Sequence, residues 1–194
     1  MVFLRRRTVG PVLRAERVML RPPEMDDFES WAALRHESEA FLEPWEPLRA
    51  RDHLTNRAFR ERVYWAARAI SEARAYPLFL FRQCDGALLG AITLDNLRRG
   101  PSMSITVGYW IGQRHARRGY MREGLGAVCG YVFRDLDLSR IEAACLPENT
   151  PSRALLERCG FKYEGVGQNY LQIAGRWRTH VLYALLREDR RGRG

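Results

Sequence analysis

The segment from Ser104 to Leu136 constrains this chain most, because its apolar spacing changes there from that of a strand to that of a helix across a short basic turn. Ser104 to Ile111 reads as a strand, and Met121, Leu125, Val128, Val132 and Leu136 then recur at helical spacing as one apolar stripe. Between them lies Gly112-Gln113-Arg114-His115-Ala116-Arg117-Arg118-Gly119-Tyr120. A helix entered from a strand through such a turn offers unpaired first-turn N–H groups and partial positive charge to an anion. Gly119 lets the main chain come close, and Arg117, Arg118 and Arg122 add full charges. Taken alone, an exposed arginine-rich turn is the plainer reading. The turn lacks the Gly-Lys-Ser/Thr ending of a triphosphate loop, and no Gly-x-Gly-x-x-Gly follows a strand, so ATP and dinucleotide enzymes fall in rank. Gly124-Leu125-Gly126, inside the predicted helix, reads as close packing.

The flanking chain supplies the rest of a mixed sheet. A strand is predicted near Val12 to Arg21, then a helix from about Asp26 to His36, then a loop carrying Phe41-Leu42-Glu43-Pro44-Trp45-Glu46-Pro47. A longer helix starts at the cap Thr55, with Phe59, Val63, Ala66 and Ile70 on one face before Pro77. Leu78 to Arg82 and Leu88 to Leu94 form a hairpin across Asp85-Gly86. After the Met121 helix come a strand at Arg140 to Leu146 and a short helix capped by Asn149 or Thr150, with Pro151 in its first turn and Gly160 at its end. Strands near Phe161 to Gln168 and Arg178 to Leu185 close the chain. The expectation is one domain over residues 1–194, α+β (mixed α/β), with about seven strands and about four helices. No internal repeat or long linker interrupts it.

Composition narrows the class further. At 46% hydrophobic and 11% aromatic residues the chain is far too apolar for disorder. No stretch approaches the roughly 18 uncharged apolar residues of a membrane span, and Arg5-Arg6-Arg7 interrupts any signal core, which points to the cytoplasm. Cys84, Cys129, Cys145 and Cys159 show no metal or disulfide spacing, and each lies in an apolar segment where a buried thiol is expected. The net charge of +9 predicts an anionic partner, although no RNA-binding aromatic motif, zinc finger or continuous basic helix is present. The basic runs at the ends, about 1–10 and 187–194, read as flexible, solvated tails.

Arg117-Arg118-Gly119-Tyr120-Met121 after a strand, followed by Asn149-Thr150-Pro151-Ser152 and Cys159-Gly160-Phe161, resembles the Gcn5-related N-acetyltransferases. Within them the chain looks like the RimJ-type ribosomal-protein alanine N-acetyltransferases almost end to end, from Phe41-Leu42-Glu43-Pro44-Trp45-Glu46-Pro47 through Gly108-Tyr109-Trp110-Ile111-Gly112-Gln113 to Gly175-Arg176-Trp177-Arg178. The resemblance implies that fold and acetyl-CoA as acetyl donor, with no metal. The pyrophosphate would sit on Arg117, Arg118, Gly119, Tyr120, Met121 and Arg122, and the pantetheine arm would pair along Ile111. Asn149 would reach that arm, while Ser152 and Arg153 flank the cofactor; local capping explains Asn149 and Ser152 equally well without the resemblance. Ala116, where the superfamily usually has Gln or Arg, Arg117, where glycine is common, and Met121, where a small residue is usual, depart from the pattern.

The implied reaction needs a neutral amine, a stabilised oxyanion and a proton for the leaving thiolate. An α-amine with a pKa of about 7.7 to 8.0 is appreciably neutral near pH 7.5, whereas a lysine at about 10.4 is not, so a chain terminus needs only a weak base. The strand Ser104 to Ile111 carries no carboxylate and offers Thr106 where related enzymes often place an acid. Glu46 is the leading group to deprotonate or orient the amine, ahead of Glu164, and Tyr170 is the expected proton donor. Trp45 and Trp110 would wall the acceptor channel, while His115 and His180 have no triad partner, so direct transfer in a ternary complex is expected. The expected acceptor is the N-terminal amine of a ribosomal or other protein, met on the ribosome, with nonspecific RNA contact through the basic surface. A small amine metabolite or antibiotic is the alternative acceptor, and a noncatalytic RNA-binding module the alternative class.

Overall fold

The computed structural model describes residues 10–190. The terminal runs expected to be solvated lie largely outside these residues, but Arg187 is anchored, donating to Asp137 and to the Leu138 carbonyl.

Eight strands form one sheet in the order β1-β2-β3-β4-β5-β6-β8-β7. The strand expected over Val12 to Arg21 is two, β1 (Leu13–Arg14) and β2 (Val18–Arg21), folded back on each other by the turn at Ala15 to Arg17. That split raises the expected seven strands to eight. Helix α1 (Phe28–Glu37) and the one-turn α2 (Glu39–Leu42) follow; α2 takes up part of the expected loop and brings the count of α-helices to five among the described residues. Helix α3 (Asn56–Ser71) starts where expected, because the Thr55 hydroxyl accepts from the Ala58 amide. It ends before Pro77, as Ala73 takes a left-handed φ of 51°.

Strands β3 (Tyr76–Arg82) and β4 (Leu88–Arg98) pair across a turn closed by Gly86 N–H to Arg82 O, 2.9 Å, with Gly86 at φ 70°. Strand β3 is buried on both faces: Leu78 and Leu80 join the core beneath α4, Phe79 and Phe81 the aromatic core beneath α1 and α3. Cys84, in the turn, is exposed, against the expectation of a buried thiol; the apolar residues around it belong to β3, which ends before it, and to β4, which begins after it. None of the four cysteines forms a disulfide among the described residues.

Strand β5 (Ser104–Ile111) pairs with β4 along its length. Helix α4 (Tyr120–Arg134) lays Met121, Leu125, Val128 and Val132 on the sheet, and Gly124 packs against Leu80 and Ile92, as close packing requires. Strand β6 (Arg140–Cys145) leads to α5 (Thr150–Arg158), capped by Asn149, whose side-chain oxygen accepts from the Ser152 amide at 3.1 Å. Gly160 ends it at φ 91°. Strands β7 (Lys162–Ile173) and β8 (Arg176–Leu186) make a long two-stranded arm, longer than expected at its far end because bulges at Gly165 and beyond Gly167 carry the ladder across residues that break alternation.

The pairing of β5 with β6 positions the site. They run parallel and pair only over Ser104–Arg140, Ile105–Ile141 and Thr106–Glu142, after which β6 continues with β8 alone. The sheet therefore splays open beside Val107 to Ile111, leaving the β6-facing edge of that half of β5 without a strand partner.

Candidate functional site

The splay opens onto the basic turn. After Gly112 the chain makes a one-turn 3-10 helix at Gln113 to His115, then passes through Arg117 at φ 61° and Gly119 at φ 83° into α4. The first helical bond of α4 is Glu123 N–H to Gly119 O, at 3.2 Å, so the amides of Tyr120, Met121 and Arg122 are the orphan donors of the first turn. Arg117 thus holds a left-handed position in which glycine would be unstrained, and the turn forms with a side chain there.

Residues from far along the chain hold this turn. Arg17, in the β1–β2 turn, donates to the Arg118 carbonyl at 3.3 Å and pairs with Glu123, and its guanidinium lies 5.0 Å from the Tyr120 ring centroid. A cavity of about 370 Å³ beside it is lined by Arg82, Ala87, Arg114, His115 and Arg118. His115 is buried and accepts from Arg114 Nε through its Nε2 at 3.1 Å, while its Nδ1 has no hydrogen-bond partner. Burial, then the charges of Arg114, Arg82 and Arg118, push its pKa below the ordinary histidine value. The neutral ring and surrounding guanidiniums form an anion-favouring hollow at the start of α4. Sequence reading found the turn itself, but not Arg17 or Arg82, which approach only in three dimensions.

Across the splay, Tyr109 of β5 reaches α5: its hydroxyl lies 2.8 Å from Ser152 Oγ, and burial pushes its pKa well above the ordinary tyrosine value. Asn149, committed to its cap through its oxygen, and Ser152 therefore stand at the start of α5, tied to β5 through Tyr109. Arg153 instead points inward, donating to Tyr183 and to the Pro147 carbonyl.

On the other face of β5, Trp110 turns toward α1. Arg35 stacks over it at 4.8 Å and holds Glu46 bidentately at 2.8 and 2.6 Å; Arg49 adds a third bond at 2.9 Å. Burial opposes the charge on Glu46, but the Arg35 hydrogen bonds and the two arginine charges outweigh it and hold the carboxyl below its ordinary value. Glu46 is an ionised, heavily engaged carboxylate. Glu164 sits at the closed end of the splay, paired with Arg140. Thr106 lies there too, donating to Asp95 O and accepting from Asn96.

The arm reaches back to the mouth. Its β8 pairs with Cys145 through Val181, and Tyr170, 42% exposed, lies farther out on β7, with its ring 5.7 Å from that of the buried His180. At the tip, Ala174 N–H donates to the Glu46 carbonyl at 3.0 Å, and Leu48 packs against Gly175. The fold thus brings the loop carrying Glu46, with the half-buried Trp45, into contact with the arm carrying Tyr170.

An open strand edge beside a helix N-terminus, with a basic hollow at one end and an aromatic, charged wall at the other, suits an extended anionic nucleotide and a second, amine-bearing substrate. Comparison with known proteins agrees. Residues 17–162 match the model of an acetyltransferase (GNAT) domain. The chain is 33% identical over 179 residues to the ribosomal protein uS5-alanine N-acetyltransferase of Escherichia coli (strain K12), covering 91% of each chain. It is similar to the solved structure of Mycobacterium smegmatis RimJ in complex with CoA-disulfide, with a TM-score of 0.85 and 33% identity over 93% of this chain and 88% of that one. A ribosomal-protein-S5-alanine acetyltransferase from Vibrio fischeri also superposes with a TM-score of 0.85, at 25% identity, covering 93% of this chain and 98% of that one.

Proposed function

The chain belongs to the GNAT family of N-acetyltransferases, and from that premise we propose that it moves the acetyl group of acetyl-CoA onto the N-terminal α-amine of a ribosomal or other protein. The single observation that carries the donor half is the unpaired edge of β5 from Val107 to Ile111, ending at the orphan amides of Tyr120, Met121 and Arg122. Those residues fit the group: the amides and the Arg117, Arg118 and Arg122 charges take the pyrophosphate, and the Ile111 edge takes the amide-bearing arm. Ala116 contributes no side-chain contact there, and the left-handed Arg117 and Gly119 supply the cradle instead. On this reading Asn149 and Ser152, at the start of α5 and tied to β5 through Tyr109, serve the same arm. Arg153 acts one step removed, bracing Tyr183 and the Pro147 carbonyl at the wall's base.

The acceptor half follows from charge. The nitrogen lone pair attacks the thioester carbonyl carbon, a C–N bond forms, the C–S bond breaks, and the leaving thiolate takes a proton. Glu46 stays ionised at every working pH, so it orients the amine by accepting its hydrogen bond, and the amine's surplus proton leaves to water. A terminal α-amine tolerates so weak a base because much of it is already neutral. Tyr170, on the arm at the mouth, is the proton donor to the thiolate. Direct transfer within a ternary complex is favoured, since His115 and His180 are buried without a nucleophile to activate.

Turnover of peptides beginning with Ala or Ser, read as CoA release, tests the reading; release with small amines only rejects the protein acceptor. Tyr170→Phe should lower kcat roughly tenfold or more with little change in KM, the signature of a lost proton donor. Unchanged kcat removes Tyr170 from the reaction.

A further inference from the structure

The acceptor wall carries more positive charge than its carboxylate can balance. Arg35 and Arg49 hold Glu46, Arg62 on the Trp31 ring lies near enough to feel all three charges, and guanidiniums do not shed their protons in proteins. Arg35 and Arg49 share the one carboxylate. Arg62, on α3, stacks 5.3 Å from the Trp31 ring centroid and pairs with no carboxylate among the described residues. Arg35 is 5% exposed, yet its buried Nε has no hydrogen-bond partner. Burial, then the charges of Arg49 and Arg35, press the Arg62 pKa downward, so the cluster repels itself in a place poorly screened by water.

A structural role alone would not build this. A buried pair needs one arginine for one carboxylate, and additional desolvated cations cost stability unless an anion meets them. The surplus sits next to the end of β5 and to the arm: Arg35 covers Trp110, the neighbour of Ile111 on β5, and the loop carrying Arg49 touches the tip of the β7–β8 arm. On the transferase reading the cofactor's phosphates belong on the other side, at the start of α4.

We propose that Arg49 and Arg62, backed by Arg35, form a subsite for a carboxylate carried by the acceptor, so that the protein selects N-termini with an acidic side chain within the first few residues. The inference rests on the transferase reading above and names its substrate class. Glu46 accepts from the amine while the surplus guanidiniums hold the carboxylate farther along the same peptide, so the two ends are read as a pair of opposite charges. Arg is suited to the task because its planar fork meets a carboxylate with two parallel hydrogen bonds.

The test uses hexapeptides beginning with Ala that carry Glu at position 2, 3 or 4, each matched with a Gln peptide. Turnover is read as CoA release, and binding by calorimetry to the protein saturated with CoA. The best Glu peptide should exceed its Gln partner by about tenfold in kcat/KM and in affinity, as expected for hydrogen bonds to a charged group. Arg62→Gln should bring that ratio toward one, and Arg62→Lys should keep part of it. Equal turnover of Glu and Gln peptides overturns the subsite and leaves the transferase reading standing. Tighter binding of Glu peptides without turnover keeps the subsite and rejects the peptide-acceptor reading; neither binding nor turnover rejects both. Should Arg62→Gln fail to fold, the wild-type Glu-to-Gln ratio decides alone.

Discussion

Single residues decide whether the anion turn forms. Gly119 sits at φ 83° with Arg17 Nη2 only 3.1 Å from where a Cβ would stand. Gly119→Ala should therefore cost about 1 kcal/mol of stability, the usual penalty for a left-handed side chain, and raise the KM for acetyl-CoA; denaturant titration and steady-state kinetics check both. Glu46 makes the second case. Its folded pKa is depressed, so its stabilisation is fully present above its unfolded value of about 4.3 and is lost as pH falls through the lower folded value. Glu46→Gln should remove about 2 to 4 kcal/mol, because the Arg35 and Arg49 guanidiniums lose their counter-charge, and should flatten that acid limb in unfolding curves measured below pH 5. Above it, kcat/KM should rise with one apparent pKa near 8, set by the peptide amine, in wild type and Glu46→Gln alike. A second limb in the wild type, absent from the variant, would show Glu46 titrating as a base. The sequence named Glu46 and Gly119, since a Pro-Trp-Glu-Pro segment and a glycine before a helix are local signals. The meeting of Arg35 and Arg49 at that carboxylate, with Arg62 on the neighbouring Trp31, could not be read, because the three come from α1, the following loop and α3.

Elements set the width of the cleft. The splay between β5 and β6 is held at one side by three ladder pairs and across its mouth by Tyr109 to Ser152. Tyr109→Phe should lower stability by about 1 kcal/mol and raise the KM for acetyl-CoA more than that for the peptide, because the bridge ties the edge strand to the wall facing it. Equal shifts in both would place Tyr109 outside the donor site. The strand-turn-helix at 104–136 was legible because both its periods are local. The opening beside it was not: where two parallel strands stop pairing depends on what each meets across the sheet. The division of the first strand into β1 and β2 was missed for the same reason, as the turn at Ala15 to Arg17 carries no glycine or proline.

The whole molecule carries +9, and no helix among the described residues is long and apolar enough to cross a membrane. If that charge aids docking on a ribosome, kcat/KM for a ribosome-bound acceptor should fall steeply between low and physiological salt, while that for a free neutral peptide barely changes. Parallel slopes for the two would deny the surface any docking role. At this scale the sequence by itself determined the order of the elements, the basic turn at the start of α4 and the membership of the family, because periodicity, caps and turn residues act over a few positions. Only the tertiary structure decided where β5 loses its partner, which distant arginines brace the turn, and how many cations crowd one carboxylate at the acceptor wall. Those outcomes depend on through-space packing and charge balance between residues up to about a hundred positions apart, such as Arg17 and Glu123, and no local pattern encodes them.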